Sequence, residues 1–139
     1  MKQTRQSIVD LLINKLAQIR IANGYSCDIG QLVEYAEGVS DEPAIDCCAV
    51  FDGKEEIIFA SGRNNATRQR VINVNIHAAF LGNNPKIRAN SAVEDFIEWL
   101  DKNPNLGQIG VMVKLNGFDI ELEKLGELAE LICEIQITY

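Results

Sequence analysis

One histidine, four cysteines and twenty carboxylates are the residues from which acid–base, nucleophilic or metal chemistry would have to be built in this chain. His77 lies among Asn73 and Asn75 on the polar side of an extended stretch. No serine or cysteine motif stands near it for a base to activate, so it reads as a surface or interface histidine. Asp41-Glu42 and Glu55-Glu56 are adjacent acids of the kind that could share acid and base roles, but such neighbours in loops are solvated by default. Cys47 and Cys48 are consecutive in an expected strand, so their side chains point to opposite faces and cannot share a metal. Cys27 and Cys133 have no CxxC partner, and all four read as reduced, mostly buried residues of a reducing compartment. Gly107-Gln108-Ile109-Gly110 has GxxG spacing without flanking lysines or a strand-to-helix context, and reads as a turn rather than a phosphate cradle. Asn65-Ala66-Thr67 matches a glycosylation sequon by chance, because no secretion signal accompanies it. The residues thus assign no catalytic, cofactor-binding or metal-binding role.

Two charge patterns remain. Lys54, Arg63, Arg68 and Arg70 are the basic concentration, and with Asn64 and Asn65 they flank or form a polar loop tip. A small basic arm on an acidic body suits docking to an acidic protein surface or to another copy of the chain. Asp119, Glu121 and Glu123 share one face of a strand, and Glu130 and Glu134 share one face of the next, so pairing would gather them into an acidic patch. That patch is either a solvated face or a wall that repels passing polyanions. Thirteen basic against twenty acidic residues give a formal charge of −7, which opposes a general grip on nucleic acid. No run approaches the roughly 18 apolar residues of a membrane span, so the expectation is a soluble protein made in a cytosol.

The elements that position these residues follow from periodicity. With 139 residues, 47 % of them hydrophobic, the chain suffices for one domain with its own core. Ile8, Leu11, Leu12, Leu16 and Ile19 form one stripe of a helix expected from Thr4 to Ile21, closed by Asn23-Gly24. After Pro43, residues 44–51 read as a strand with Ile45, Cys47, Ala49 and Phe51 on one face. Asp52-Gly53 suggests a turn, 55–60 a short strand, and 53–67 together an arm or extended loop that gains order against a partner. Residues 68–80 form a long strand with Ile72, Val74, Ile76, Ala78 and Phe80 on one side. Asn83-Asn84-Pro85 announces a second helix, ended by Asn103-Pro104, with Ala89, Val93, Phe96 and Leu100 as its buried stripe and Ile97 and Trp99 at the margins. From Gly110 onward a β-meander is expected: Val111, Val113 and Leu115 alternate, Asn116-Gly117 supplies a hairpin turn, and Phe118, Ile120 and Leu122 resume. A final strand places Ala129, Leu131, Cys133, Ile135, Ile137 and Tyr139 on one face. The order predicts an α+β fold: a mainly antiparallel sheet, two helices packed on one face, and a protruding β-arm or loop.

Over nearly its whole length the sequence resembles the tail terminator, or tail completion, proteins of long-tailed bacteriophages. The landmarks are the amphipathic first helix running into Ile19-Arg20-Ile21-Ala22-Asn23-Gly24-Tyr25, then Cys27-Asp28-Ile29-Gly30, an acidic stretch, and Glu42-Pro43-Ala44-Ile45 before a strand. A helix, Asn105-Leu106-Gly107, a hairpin and a final alternating strand ending Ile137-Thr138-Tyr139 complete the series. The resemblance implies a non-enzymatic virion protein without cofactor, expected to form a hexameric ring at the head-proximal end of the tail, assembled in the host bacterial cytoplasm. It implies as partners further copies of the chain, the major tail tube protein and a neck or head-completion protein, with DNA only passing through the lumen and no membrane. Under it, Asp119, Glu121, Glu123, Glu130 and Glu134 would contribute an acidic lumen face, and Lys54, Arg63, Asn64, Asn65, Arg68 and Arg70 an interface arm. A head–tail connector or other minor tail protein has the same kind of scaffold, and a small cytosolic enzyme is the remaining class, for which the residues offer no convergent polar cluster.

Overall fold

The structure, a computed structural model, describes residues 3–35, 45–59, 68–123 and 126–139. Helix α1 (Arg5–Leu16) and helix α2 (Pro85–Lys102) accompany five strands: β1 (Val33–Tyr35), β2 (Cys47–Phe59), β3 (Arg68–Leu81), β4 (Met112–Glu123) and β5 (Leu128–Thr138). The sheet order is β1-β2-β3-β5-β4, antiparallel throughout except for the short parallel β1–β2 pair. This is the expected α+β architecture. Ile8, Leu12, Leu16 and Ile19 pack with Ala89, Phe96 and Trp99 and with Cys48, Val50, Ile72, Val74, Ile76, Leu131, Ile135 and Ile137 in one cluster. Both helices therefore cover the same face of the sheet.

Helix α1 starts at a capping box, with the Thr4 hydroxyl accepting from Ser7 N at 3.1 Å and Ser7 Oγ accepting from Thr4 N at 2.9 Å. It stops at Leu16, five residues before the expected end, although Ile19 stays fully buried. The cause is tertiary. The Trp99 indole donates to the Lys15 carbonyl at 2.9 Å, and Gly30 N donates to Ile19 O at 2.9 Å, so carbonyls a longer helix would use are already engaged. Trp99 itself is fully buried and not at the margin of the buried stripe, while Val93 and Leu100 are only half-buried. Asp95, also buried, accepts from Ser26 N at 3.0 Å and from Ser26 Oγ at 2.6 Å, fastening the loop after α1 onto α2.

Two strands depart from the expected pattern for a single reason. Asn116-Gly117 is not a hairpin: β4 runs straight through it, with Leu115 opposite Ile135 and Gly117 opposite Glu134, leaving Asn116 as an extra residue in a bulge. The bulge shifts the phase, so Val113 and Leu115 before it and Phe118 and Ile120 after it all pack towards the helices. An odd-to-even switch of apolar positions is the signature of a bulge as much as of a turn. Likewise β2 continues past Asp52-Gly53, with a register shift between Asp52 and Glu55. The core face of β2 is Cys48 and Val50; Ile45 is exposed, Phe51 lies against His77, and Cys47 joins a small separate cluster with Ala79 and Leu128. The expected face Ile45, Cys47, Ala49 and Phe51 is thus the outer one. The GxxG segment is a turn, with Gly107 and Gly110 at φ 76° and 87°.

Gly30 crosses the end of α1 so closely that a Cβ would lie 2.6 Å from Leu16 O and 2.8 Å from Ala17 O, both backbone atoms. Gly30→Ala is expected to destabilise the fold by about 1–3 kcal/mol. Urea denaturation with an unchanged midpoint would refute that close approach.

Candidate functional site

The described part of the expected arm is a two-stranded ribbon. β5 pairs with β3 as far as Val71 opposite Thr138, and the backbones of Arg70 and Tyr139 bond each other reciprocally at 2.9 and 3.0 Å. Beyond that point only β2 and β3 pair, from Ile57 opposite Arg70 to Phe59 opposite Arg68. Isolated two-stranded ribbons are marginal in water, and this one carries Ile57 and Ile58, adjacent and therefore on opposite faces, 51 % and 48 % exposed.

Three latches fix the direction of the ribbon at its base. Arg5, at the start of α1, donates to Asp52 Oδ2 at 2.9 and 3.0 Å and to the Gly53 carbonyl at 2.7 Å. Arg70 donates to Glu55 Oε2 at 2.9 Å while its guanidinium lies 4.7 Å from the centre of the Tyr139 ring. The Tyr139 hydroxyl donates to the other Glu55 oxygen. Burial alone would raise the Glu55 carboxyl, but the hydrogen bonds from Tyr139 and Arg70 and the charge of Arg70 outweigh it and hold it below the usual range. Burial, and after it the bond to Glu55, pushes the Tyr139 hydroxyl up to about 12.

Among the expected arm residues, then, Arg70 is turned to the core side and engaged with Glu55. Lys54 is exposed, 3.9 Å from Glu56. Arg68 begins β3, and Arg63, Asn64 and Asn65 lie outside the described residues, as does most of the expected tip. Glu55 stood out only as one of two adjacent acids, and Tyr139 and the Ile57-Ile58 pair were given no role at an arm; the adjacent isoleucines beside Glu55-Glu56 are the signal that was there to find.

The acidic set is assembled more closely than strand alternation alone requires. Glu121 stands directly opposite Glu130 in the β4–β5 ladder, and carboxylate oxygens of Glu121, Glu123 and Glu130 lie within 4.8 Å of one another. All three sit on the face of the sheet away from the helices. Asp119 occupies the same face and accepts from Ile120 N, and Glu134, exposed, lies across from Gly117 and Asn75. His77 bonds Glu130 through Nδ1 and packs on Phe51 at 4.5 Å, and Gln136 donates to Asn73 at 2.9 Å. The outer face therefore carries polar groups with Ile132 and Phe51 among them, and is acidic along the β4 side. Three carboxylates so placed offer oxygen ligands of the kind a hard divalent cation takes.

Among the described residues the surface also has two concavities. A polar cleft of about 330 Å³ is lined by Ser26, Cys27, Asp28, Asp46, Arg88 and Ser91 among others. Its groups satisfy one another: Arg88 pairs with Asp46 and donates to Leu81 O at 2.7 Å, while Gln31 donates to Asp46 O at 2.8 Å. Burial, then the bond to Asp95, pushes the Cys27 thiol up to about 12, far from a nucleophilic thiolate. All four cysteines are buried and unbridged. The second concavity, about 310 Å³, lies between α2 and β4 and is lined by Ile97, Leu100, Asp101, Pro104, Val113 and Leu115. No helix among the described residues is long and apolar enough to cross a membrane. Compared with known families and with curated proteins, the chain matches no family model and no curated protein.

Two outcomes follow from this geometry. Tyr139 is raised in the folded state, so its contribution is complete below its ordinary value of 10.0 and lost as pH rises through about 12; that of Glu55, lowered, is present above its ordinary 4.5 and lost on acidification. Tyr139→Phe should remove this alkaline loss from the melting profile and shrink the acid one; a profile parallel to wild type would sink the latch. Glu121→Gln should stabilise the fold by about 0.2–1 kcal/mol at low salt by relieving repulsion across the ladder, with the gain vanishing in about 1 M salt.

Proposed function

We propose that this chain is a structural subunit that associates side by side with copies of itself into a ring, expected to be hexameric. The ring caps the tail tube of a long-tailed bacteriophage at its head-proximal end, ends tube polymerisation and offers a surface to neck or head-completion proteins. The observation that carries the reading is the division of one sheet into two uses. Its helix side holds the main core, while its outer side keeps a cluster of three carboxylates and its end extends a ribbon with exposed isoleucines. A ring through which DNA slides gains from a wall that repels phosphate, and the face bearing Asp119, Glu121, Glu123, Glu130 and Glu134 is suited to be that wall. A closed ring also needs heterologous contacts, for which a projecting element on one side of each subunit is suited.

Deletion of the gene should yield tails of abnormal length in electron micrographs. Tails of normal length that fail to join heads would favour a connector instead, and normal, head-joined tails would reject both roles. Glu121→Lys combined with Glu130→Lys should leave ring assembly intact but impair DNA passage and lower infectivity; full infectivity would remove the acidic face from the lumen.

A further inference from the structure

We infer that Asp119 closes the free edge of the sheet to a second copy of the chain, its carboxylate occupying the backbone donor at which the two edges would join. β4 is twelve residues long and borders the sheet, with β5 on one side and, among the described residues, no strand on the other. A long edge strand presents a row of backbone donors and acceptors on which a like strand can pair. The inference holds for a lone subunit as for one in a ring.

The bulge at Asn116 divides this edge into two halves. In the first half Val113 N donates to the Pro104 carbonyl at 2.9 Å, so the loop that follows α2 already lies along it. In the second half Phe118 and Ile120 turn towards the helices and are half-buried, and alternation puts Leu122, 51 % exposed, on the same side. Val113 and Ile120 share the helix-facing side and therefore the same backbone direction, with N–H pointing away from β5. At Ile120 that outward N–H donates to Asp119 Oδ1 at 2.9 Å. Each half of the edge thus has a donor already engaged, one by Pro104 and one by Asp119.

Without Asp119 the second half would fit itself. Two copies laid antiparallel about Ile120 set Ile120 against Ile120 and Phe118 against Leu122 on the helix side, apolar against apolar. The two Ile120 residues at the centre would then exchange N–H to carbonyl bonds, as a closely spaced antiparallel pair does. On the outer side the same register sets Asp119 against Glu121 of the other copy, twice by symmetry, and like charges directly opposite are destabilising. Asp119 therefore acts in two ways: its Oδ1 takes the donor at the symmetry centre, and its charge meets another carboxylate. Glu121 gains a reason as well. It stands opposite Glu130 within its own sheet, at a cost to the subunit, and the same charge keeps the edge from pairing.

Sedimentation of the full chain tests this, with folding checked by circular dichroism. Asp119→Val with Glu121→Val removes the cap and the opposed charges at two exposed positions. This variant should self-associate about tenfold more tightly than wild type and double the mass of the sedimenting species. Asp119→Asn with Glu121→Gln removes the same charges but keeps an oxygen for Ile120 N, and should stay within about threefold of wild type. Leu122→Pro, added to the valine pair, takes away an outward N–H and should abolish the gain. A valine pair that sediments like wild type, a gain that survives Leu122→Pro, or an Asn/Gln pair that associates as strongly as the valine pair each overturns the inference. Hydrogen exchange gives an independent reading on Asp119→Ala, where the Ile120 amide should exchange about tenfold faster than in wild type; an unchanged rate overturns the cap.

Discussion

A five-stranded sheet covered by helices on one side alone must keep most of its large apolar side chains on that side, and this constraint governs the rest of the molecule. Strand alternation meets it without adjustment in β3 and β5, where Ile72, Val74 and Ile76 face Ile137, Ile135 and Cys133 in register. In β2 and β4 the sequence changes phase midway, and a bulge in each strand restores the rule. The bulge in β2 does a second thing. It turns Asp52 and Gly53 towards Arg5 and brings Glu55 under Arg70 and Tyr139, so the same irregularity that preserves the core also anchors the ribbon.

The helix layer is fastened by polar contacts placed between apolar ones. Asp95 holds the Ser26 backbone and hydroxyl, and the Trp99 indole holds the end of α1. Among the described residues no buried side-chain nitrogen or oxygen lacks a partner, which is why the polar cleft near Arg88 and Asp46 reads as a tie between loop, strand and helix. The surface left unsatisfied in another sense is the outer face, where Glu121 and Glu130 stand opposite each other. Repulsion retained on an otherwise satisfied framework is what the proposed lining role would account for.

Much of this was legible from residue order. The two helices, the long third strand and the final alternating strand emerge from periods of 3.6 and 2, since burial on one face imposes them directly. The gathering of Glu121, Glu123 and Glu130 was equally visible, because it needs only that two consecutive strands pair. Asn116-Gly117 misled because the dipeptide favours a hairpin locally, while a full-length β5 offers β4 an unbroken partner and Gly117 does not take a positive φ at all. Which face of β2 is the core face was not legible, because Cys47, Cys48, Ala49 and Val50 are all buried, which erases the alternation that tells one face from the other.

What the sequence determined by itself is the class of fold and the sign of its surfaces: local periodicity and charge count require no knowledge of which strand lies beside which. Tertiary structure alone decided where α1 stops, that Arg70 is committed to Glu55, and where the groove lies. Each of these depends on groups far apart in the chain, Lys15 with Trp99, Glu55 with Tyr139, Ile97 with Val113, whose meeting is set by sheet order and not by any neighbouring residue.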